Sequence, residues 1–382
     1  MGYLRFLTAG ESHGKALTAI LEGVPAGLRL DALAIDRDLA RRQQGYGRGG
    51  RMKIEHDHAE ILSGVRFGET IGSPITLLVQ NRDFENWQAR MAAFGEETGE
   101  RVTAARPGHA DLTGVRKYDR RDIRDILERA SARETTMRVA VGAILKQFLQ
   151  ALGIKVSSAV VNLGGTSVDR TNQDATHWQH SELNCYDPVA ETLMKKRIDE
   201  AKAAGDTLGG IFEVIVKNVP VGLGSYIQWD RRLDASLAAA LMSIQAIKGV
   251  EIGAGFEYAK LMGSEAHDEM FYDDSQNVYR QTNRAGGLEG GMTNGEDIIL
   301  RAVMKPIPTL MKPLHSIDIA SKREVLASKE RSDVTAVAAA SVVGEAMTAI
   351  ALADAVLEKF ASDNMTDLLA DFQGYTKRIQ EA

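Results

Sequence analysis

The strongest constraint in this sequence is a run near its end, residues 334–357, in which alanine dominates and only Glu345 and Asp354 carry charge. A helix that is apolar on every side belongs in a protein interior or in a bilayer. A bilayer span needs about 20 strongly apolar residues. This run is built of alanine rather than leucine, so it reads as a buried helix extending to about Phe360. Residues 135–152 are the second landmark. Met137, Val141, Ile144 or Leu145, Phe148 and Leu152 recur at helical spacing, and Gly153 follows as a stop.

Around these two helices, strands are expected over residues 3–8, 17–24, 75–79, 156–163, 211–219 and 298–304. Further helices are expected over 36–44, 120–129 and 233–247. Residues 87–101 and 169–192 show little periodicity and read as surface excursions. Val24-Pro25-Ala26-Gly27-Leu28 recurs as Val219-Pro220-Val221-Gly222-Leu223. Each copy follows an apolar strand and precedes a helix with a Leu-Asp pair, Leu30-Asp31 or Leu233-Asp234. The echo predicts a single domain with two similar halves, roughly 1–153 and 154–360, and a C-terminal tail.

Composition then limits the function. Hydrophobic residues make up 44% and charged residues 26%, which excludes a disordered chain. One cysteine, Cys185, supports neither an intrachain disulfide nor a cysteine metal cage, and no metal is expected. Met1 to Phe6 lack the apolar core of a signal peptide, so a cytoplasmic protein without a membrane partner is expected. A net charge of −6 argues against a nucleic-acid partner. The basic residues are nevertheless clustered: six against one acid over residues 37–53, and ten against six over 101–138. Local positive charge on an acidic protein suits a small anionic ligand.

Six motifs carry candidate chemistry. Gly10-Glu11-Ser12-His13-Gly14 matches a nucleophile elbow, but it follows the first strand of the chain, which favours a glycine turn presenting His13. Residues 45–50 fit G-x-G-x-x-G with a helix before and none evident after, so they read as a glycine loop bringing Arg42, Arg48 and Arg51 to an anion. Arg106-Pro107-Gly108-His109 sets a rigid turn between a guanidinium and a group that titrates near neutrality. Residues 129–135 precede the amphipathic helix, where small residues offer either an anion site or capping by Ser131 or Thr135. The double glycines Gly286-Gly287 and Gly290-Gly291 mark a close backbone approach or a long turn, and Arg331-Ser332-Asp333 reads as a cap for the final helix.

Taken in order, these motifs resemble the chorismate synthase family from residue 4 to about 360. The resemblance implies a β-α-β sandwich of the mixed α/β (α+β) class, with helices packed between antiparallel sheets, and a homotetramer. It implies a shikimate-pathway lyase that converts 5-enolpyruvylshikimate 3-phosphate to chorismate and phosphate using reduced FMN, with NADPH or a separate flavin reductase as the source of electrons. A flavin oxidoreductase using NADPH is the alternative function.

By position, His13, His109 and Asp333 match the family's catalytic residues. Arg129, Ala130, Ser131, Gln245, Ala246, Gly290, Lys305, Pro306, Ile307, Pro308, Thr309 and Arg331 match flavin contacts. Arg42 and Arg48 match positions assigned to NADPH or substrate, and Arg51, Arg106 and Arg133 complete the implied substrate grip. Ala130 departs from the two serines many members carry, which removes a hydroxyl and keeps the backbone contacts.

Overall fold

Apolar–polar alternation opens the chain. In β1 (Arg5–Ala9) and β2 (Ala16–Glu22) every second side chain turns inward, burying Leu17, Ala19 and Leu21. The computed structural model describes residues 3–49, 56–327 and 333–381. After β2 come helix α1 (Ala32–Gln43), strand β3 (Glu60–Ile61), the hairpin of β4 (Val65–Arg66) and β5 (Glu69–Thr70), and strand β6 (Ile75–Gln80). Helices α2 (Asp111–Tyr118), α3 (Arg124–Ala130) and α4 (Thr135–Ala151) follow. An antiparallel sheet runs in the order β1-β2-β6-β3.

Beyond α4 the chain forms β7 (Lys155–Leu163), β8 (Thr166–Ser167), α5 (Ala175–His180), α6 (Pro188–Ala203), β9 (Gly210–Lys217), α7 (Leu233–Met242) and β10 (Ile247–Ile252). A short helix α8 (Gly263–Ala266) leads to two hairpins, β11 (Met270–Tyr272) with β12 (Val278–Arg280) and β13 (Leu288–Glu289) with β14 (Met292–Thr293). Strand β15 (Ile298–Met304), the hairpin of β16 (His315–Ile317) and β17 (Glu324–Leu326), and helices α9 (Val337–Lys359) and α10 (Met365–Gln380) complete the chain. The second antiparallel sheet has the order β10-β15-β9-β7-β8.

Helices fill the space between the sheets. Helix α4 packs on β2 and β6, α9 packs on β7 and β9, and the two helices pack on each other. The alanine-rich composition of α9 now has a cause. A methyl added at Gly142 of α4 would stand 2.3 Å from the Ala346 Cβ of α9, and one at Gly344 would stand 2.4 Å from the Phe212 ring of β9. A helix pressed from both sides needs small residues. By length and hydropathy α9 could cross a membrane, yet nearly all of it is buried inside the fold.

Both charges that interrupt α9 have partners. Glu345 receives Arg41 at 2.7 Å, Lys146 at 2.6 Å and Ser158 at 2.8 Å. Burial pushes its carboxyl up, but Lys146 and Arg41 outweigh burial and hold it at about 2. Asp354 accepts the Leu4 N–H at 2.8 Å.

The sequence echo has a structural counterpart. Thr70 and Thr293 each bind one copy through the same four hydrogen bonds. Gly27 N–H donates to Thr70 O (2.8 Å), Thr70 N–H to Leu28 O (3.0 Å), Leu28 N–H to Thr70 Oγ1 (2.9 Å), and Thr70 Oγ1 to Pro25 O (2.6 Å). The Thr293 set, to Gly222, Leu223 and Pro220, has lengths of 2.8, 3.0, 2.8 and 2.6 Å. Each threonine follows a hairpin turn with two positive φ angles, 52° and 80° at Phe67-Gly68 and 58° and 82° at Gly290-Gly291. The strand order β1-β2-β6 is repeated as β7-β9-β15.

Several boundaries differ from expectation. The helix expected over 233–247 stops at Met242, and residues 247–252 pair with β15 as β10. The helix ends with Ser243 as its C-cap, the left-handed Ala246 (φ 66°) turns the chain before the strand, and the branched Ile247, Val250 and Ile252 favour a strand. The helix expected over 120–129 spans Arg124–Ala130. Residues 169–192 are not a surface excursion. They hold α5 and the start of α6, which Asp187 caps and Pro188 begins, and they bury Leu183 and Cys185. The final helix begins at Val337 with Ala336 as its N-cap, and the Thr335 hydroxyl, not Asp333, meets the Val337 N–H, so Asp333 does not cap it. Arg51 and Arg331, with Gly50 and Ser332, lie outside the described residues.

Candidate active site

The turn after β1 sets His13. Gly10 takes a φ of 108°, and a methyl there would meet the Ala16 carbonyl at 2.5 Å, so only glycine fits. The turn hangs from α3: Ser12 N–H donates to the Glu128 carbonyl (3.0 Å) and His13 N–H to Glu128 Oε2 (2.8 Å). The same carboxylate lies 2.9 and 3.0 Å from His13 Nδ1. Burial pushes the Glu128 carboxyl up, but the bond from His13 and the charges of His13 and Arg124 hold it below its usual range. The Ser12 hydroxyl meets Ser131 at 3.2 Å and is buried, which suits a scaffold more than an exposed nucleophile.

A row of buried ion pairs runs from this turn. Asn81 donates to the carbonyls of Glu11 (3.1 Å) and Gly14 (2.8 Å), and its Oδ1 accepts Arg133 Nε at 2.9 Å. Asp57 accepts Arg133 Nη1 at 2.6 and 2.8 Å and Arg42 Nη2 at 2.7 Å. Arg42 is so enclosed that burial pulls its guanidinium down to about 10 despite Asp57, with the like charges of Arg133 and Arg48 adding to the effect. It remains a cation at neutral pH. Arg48 Nη1 reaches Asp333 Oδ2 at 2.9 Å, and Asp333 Oδ1 accepts the Gly49 N–H at 2.6 Å. Asp333 therefore pins the glycine loop instead of capping α9.

The second histidine has its own carboxylate. Asp111, at the start of α2, accepts His109 Nδ1 at 2.5 Å, Arg106 Nε at 2.8 Å and Arg106 Nη2 at 3.0 Å. Burial pushes Asp111 up, yet its bonds to His109 and Arg106 hold it far below the usual carboxylate range. The Pro-Gly turn lies against the segment after β15, where Lys305 Nζ donates to the Gly108 carbonyl.

That segment joins the remaining positions. Lys305 N–H donates to the Ala246 carbonyl (2.9 Å), and Gln245 Nε2 donates to Glu134 (3.0 Å). Glu134 also takes Thr8 Oγ1 at 2.9 Å, and Thr8 accepts Arg129 through its hydroxyl (2.7 Å) and carbonyl (2.9 Å). Pro308 stands near Gly108, and the Ile307 carbonyl accepts Thr207 Oγ1 at 2.8 Å. Next to Thr207, Leu208 N–H reaches the Val334 carbonyl at 2.8 Å. Pro306 and Thr309 lie in the same short segment, and Ala130 ends α3 beside Ser131.

The structure thus links His13, His109, Asp333, Arg42, Arg48, Arg106, Arg129, Arg133, Ser131, Gln245, Ala246 and residues 305–308 into one connected region. Gly290 lies in a turn beside Tyr226, apart from these contacts, and Gly286-Gly287 packs on the backbone of Gly253 and Asp297, so that pair serves a close backbone approach. Sequence reasoning missed Asp57, Asn81, Glu128 and Glu134, and it placed Trp87 in a surface excursion although the indole stacks on His13 with ring centroids 4.2 Å apart. Of these, only Glu134 lay inside a motif already singled out, residues 129–135.

Two histidines, each held by a buried carboxylate beside a file of arginines, define an enzyme site rather than a structural or nucleic-acid-binding surface. The family model for chorismate synthase matches residues 4–357. The chorismate synthase of Geobacter sulfurreducens is 56% identical over 99% of both chains. That of Aquifex aeolicus is 56% identical over 99% of this chain and 98% of its own. A crystal structure of a chorismate synthase superposes with a TM-score of 0.79 at 46% identity, covering 100% of this chain and 99% of the other. The chain belongs to the chorismate synthase family, and it is an enzyme, a lyase.

Proposed function

We propose that this enzyme converts 5-enolpyruvylshikimate 3-phosphate to chorismate and phosphate by trans-1,4-elimination, with reduced FMN as its cofactor. The observation that carries the reading is the file of buried groups from the His13 turn through Asn81, Arg133 and Asp57 to Arg42, with the Arg48–Asp333 pair close enough for Arg48 to act on Arg42. A substrate with one phosphate and two carboxylates needs several fixed cations, and Asp57 holds two of these guanidiniums rigid. The family matches do not favour a flavin oxidoreductase.

The residues fit a flavin. Gln245 Oε1 is buried without a hydrogen-bond partner among the described residues, while its Nε2 is committed to Glu134. An isoalloxazine edge carries an N–H suited to such an acceptor. Arg129 to Ser131, Gln245, Ala246 and residues 305–309 would hold the group, and Arg42 and Arg48 would face NADPH or substrate. When bound, a reduced flavin supplies electron density that the elimination borrows and returns. His109, with Nδ1–H fixed on Asp111, holds a proton at Nε2 for the departing phosphate oxygen. His13 holds a proton facing the flavin, and Asp333 takes the proton lost from substrate carbon. One C–H and one C–O bond break and one C=C bond forms, with no net redox change.

The same reading makes the enzyme a cytoplasmic homotetramer, with a separate reductase or NADPH supplying electrons and with halves 1–153 and 154–360 as a pseudo-repeat. Arg48 gives the cleanest test of the anion grip, because Arg106 also compensates the buried Asp111. Arg48→Ala is expected to weaken substrate binding by roughly 10- to 150-fold, the value of a charge-assisted hydrogen bond of about 1.5–3 kcal/mol. FMN affinity should change less. Calorimetric titration with substrate and with FMN checks this, and unchanged substrate affinity rejects the assignment.

A further inference from the structure

His13, Glu128, Arg124 and Trp87, four side chains from three separate segments, close a ring on one another. Glu128 meets His13 Nδ1 at 2.9 and 3.0 Å and accepts Arg124 Nη1 at 2.8 Å. The Arg124 guanidinium lies 4.8 Å over the Trp87 ring. Trp87 closes the ring by stacking on His13 at 32° between planes, and its Nε1–H is tied to Asp83 at 3.1 Å. Arg124 thus neutralises Glu128 and also fixes the indole that covers the imidazole. Glu128 is 3% exposed and also holds the His13 backbone N–H, so histidine and carboxylate cannot separate without unmaking the turn.

The chemistry of the pair is directional. An ionised carboxylate only accepts hydrogen bonds, so the proton between the two groups belongs to Nδ1. We infer that Glu128 is a positioning residue that fixes His13 in its Nδ1–H form, with Trp87 and Arg124 holding the pair in register, and that proton traffic at His13 is confined to Nε2. This rests on the reading of His13 as a proton carrier. When protonated His13 gives up a proton, the Nε2–H bond breaks and its electron pair stays on nitrogen. The proton goes to the acceptor, and the neutral ring left behind is already the Nδ1–H form that Glu128 stabilises. No tautomer change is needed between turnovers.

The test is 15N NMR of the full-length enzyme with labelled histidine, His13 being assigned by its loss in His13→Ala, together with steady-state kinetics. The parent protein should show neutral His13 as one species with the proton on Nδ1. In Glu128→Gln a single oxygen must serve the Arg124, backbone and imidazole donors, and the amide NH2 faces one of them. His13 should then lose its single tautomer, and kcat should fall at least about 10-fold with KM little changed. Glu128→Asp should restore the Nδ1–H form and part of kcat, which loss of fold would not allow. A parent enzyme carrying the proton on Nε2 would overturn the inference, as would Glu128→Gln with the parent's tautomer and kcat. If His13→Ala turns over like the parent while the tautomer result holds, the role of His13 fails and the positioning by Glu128 stands.

Discussion

His109→Ala is expected to lower kcat by about 10²- to 10⁴-fold, and His13→Ala to do the same, the usual range for removing a positioned proton donor. In both variants the fold should persist, because each ring is held at one edge of a buried ion cluster. The partners left behind are not left bare. Asp111 keeps three bonds from Arg106, and Glu128 keeps Arg124 and the backbone N–H of residue 13. Steady-state rates with circular dichroism and thermal melting check this. A variant that loses its fold, or one that turns over like the parent, would give that histidine a structural role.

Asp333→Asn should separate positioning from proton transfer. In the parent, Asp333 accepts the Gly49 N–H and pairs with Arg48. Asparagine keeps the first bond through its amide oxygen and a neutral version of the second, so the glycine loop should stay in place. It cannot take a proton from carbon. The expected result is a near-normal melting temperature, retained FMN binding, and turnover lower by at least roughly 10-fold, with the larger loss at low pH, where competing proton acceptors are weaker. The start of α9 is held by Ala336 as N-cap and the Thr335 hydroxyl, not by Asp333, which removes the helix-capping account that asparagine would also have satisfied. Parent-like turnover in Asp333→Asn would mean that the substrate proton leaves by another route.

What could be read from the sequence was local. Gly10 and the Pro-Gly turn announce where the backbone must bend, and they do place His13 and His109 in tight turns. Alanine in residues 337–359 announces a helix with neighbours on every side. The partners could not be read in this way, because His13 and Glu128 are 115 residues apart and Asp57 and Arg133 are 76 apart. A lone buried carboxylate has no local signature until the fold supplies its cations. Trp87 looked superficial because the exposed segment after it has no periodicity, whereas the indole itself lies on His13. Residues 243–246 were read as helix on their alanine and leucine neighbours, but the helix ends with Ser243 as its C-cap, and the left-handed Ala246 turns the chain where Gln245 meets Glu134. The capping pattern at Asp333 was a false friend of a different kind. The residue type was right for a cap, but its carboxylate is turned to the glycine loop.

The most direct measurement is an anaerobic turnover experiment with purified enzyme, 5-enolpyruvylshikimate 3-phosphate and photoreduced FMN well below the substrate concentration. Chorismate, phosphate and the flavin spectrum would be followed together. The account predicts equal amounts of chorismate and phosphate over many turnovers, reduced flavin still present at the end, and no product after flavin is removed by exhaustive dialysis. Flavin oxidised in proportion to substrate consumed, or chorismate formed at the same rate without flavin, would contradict it.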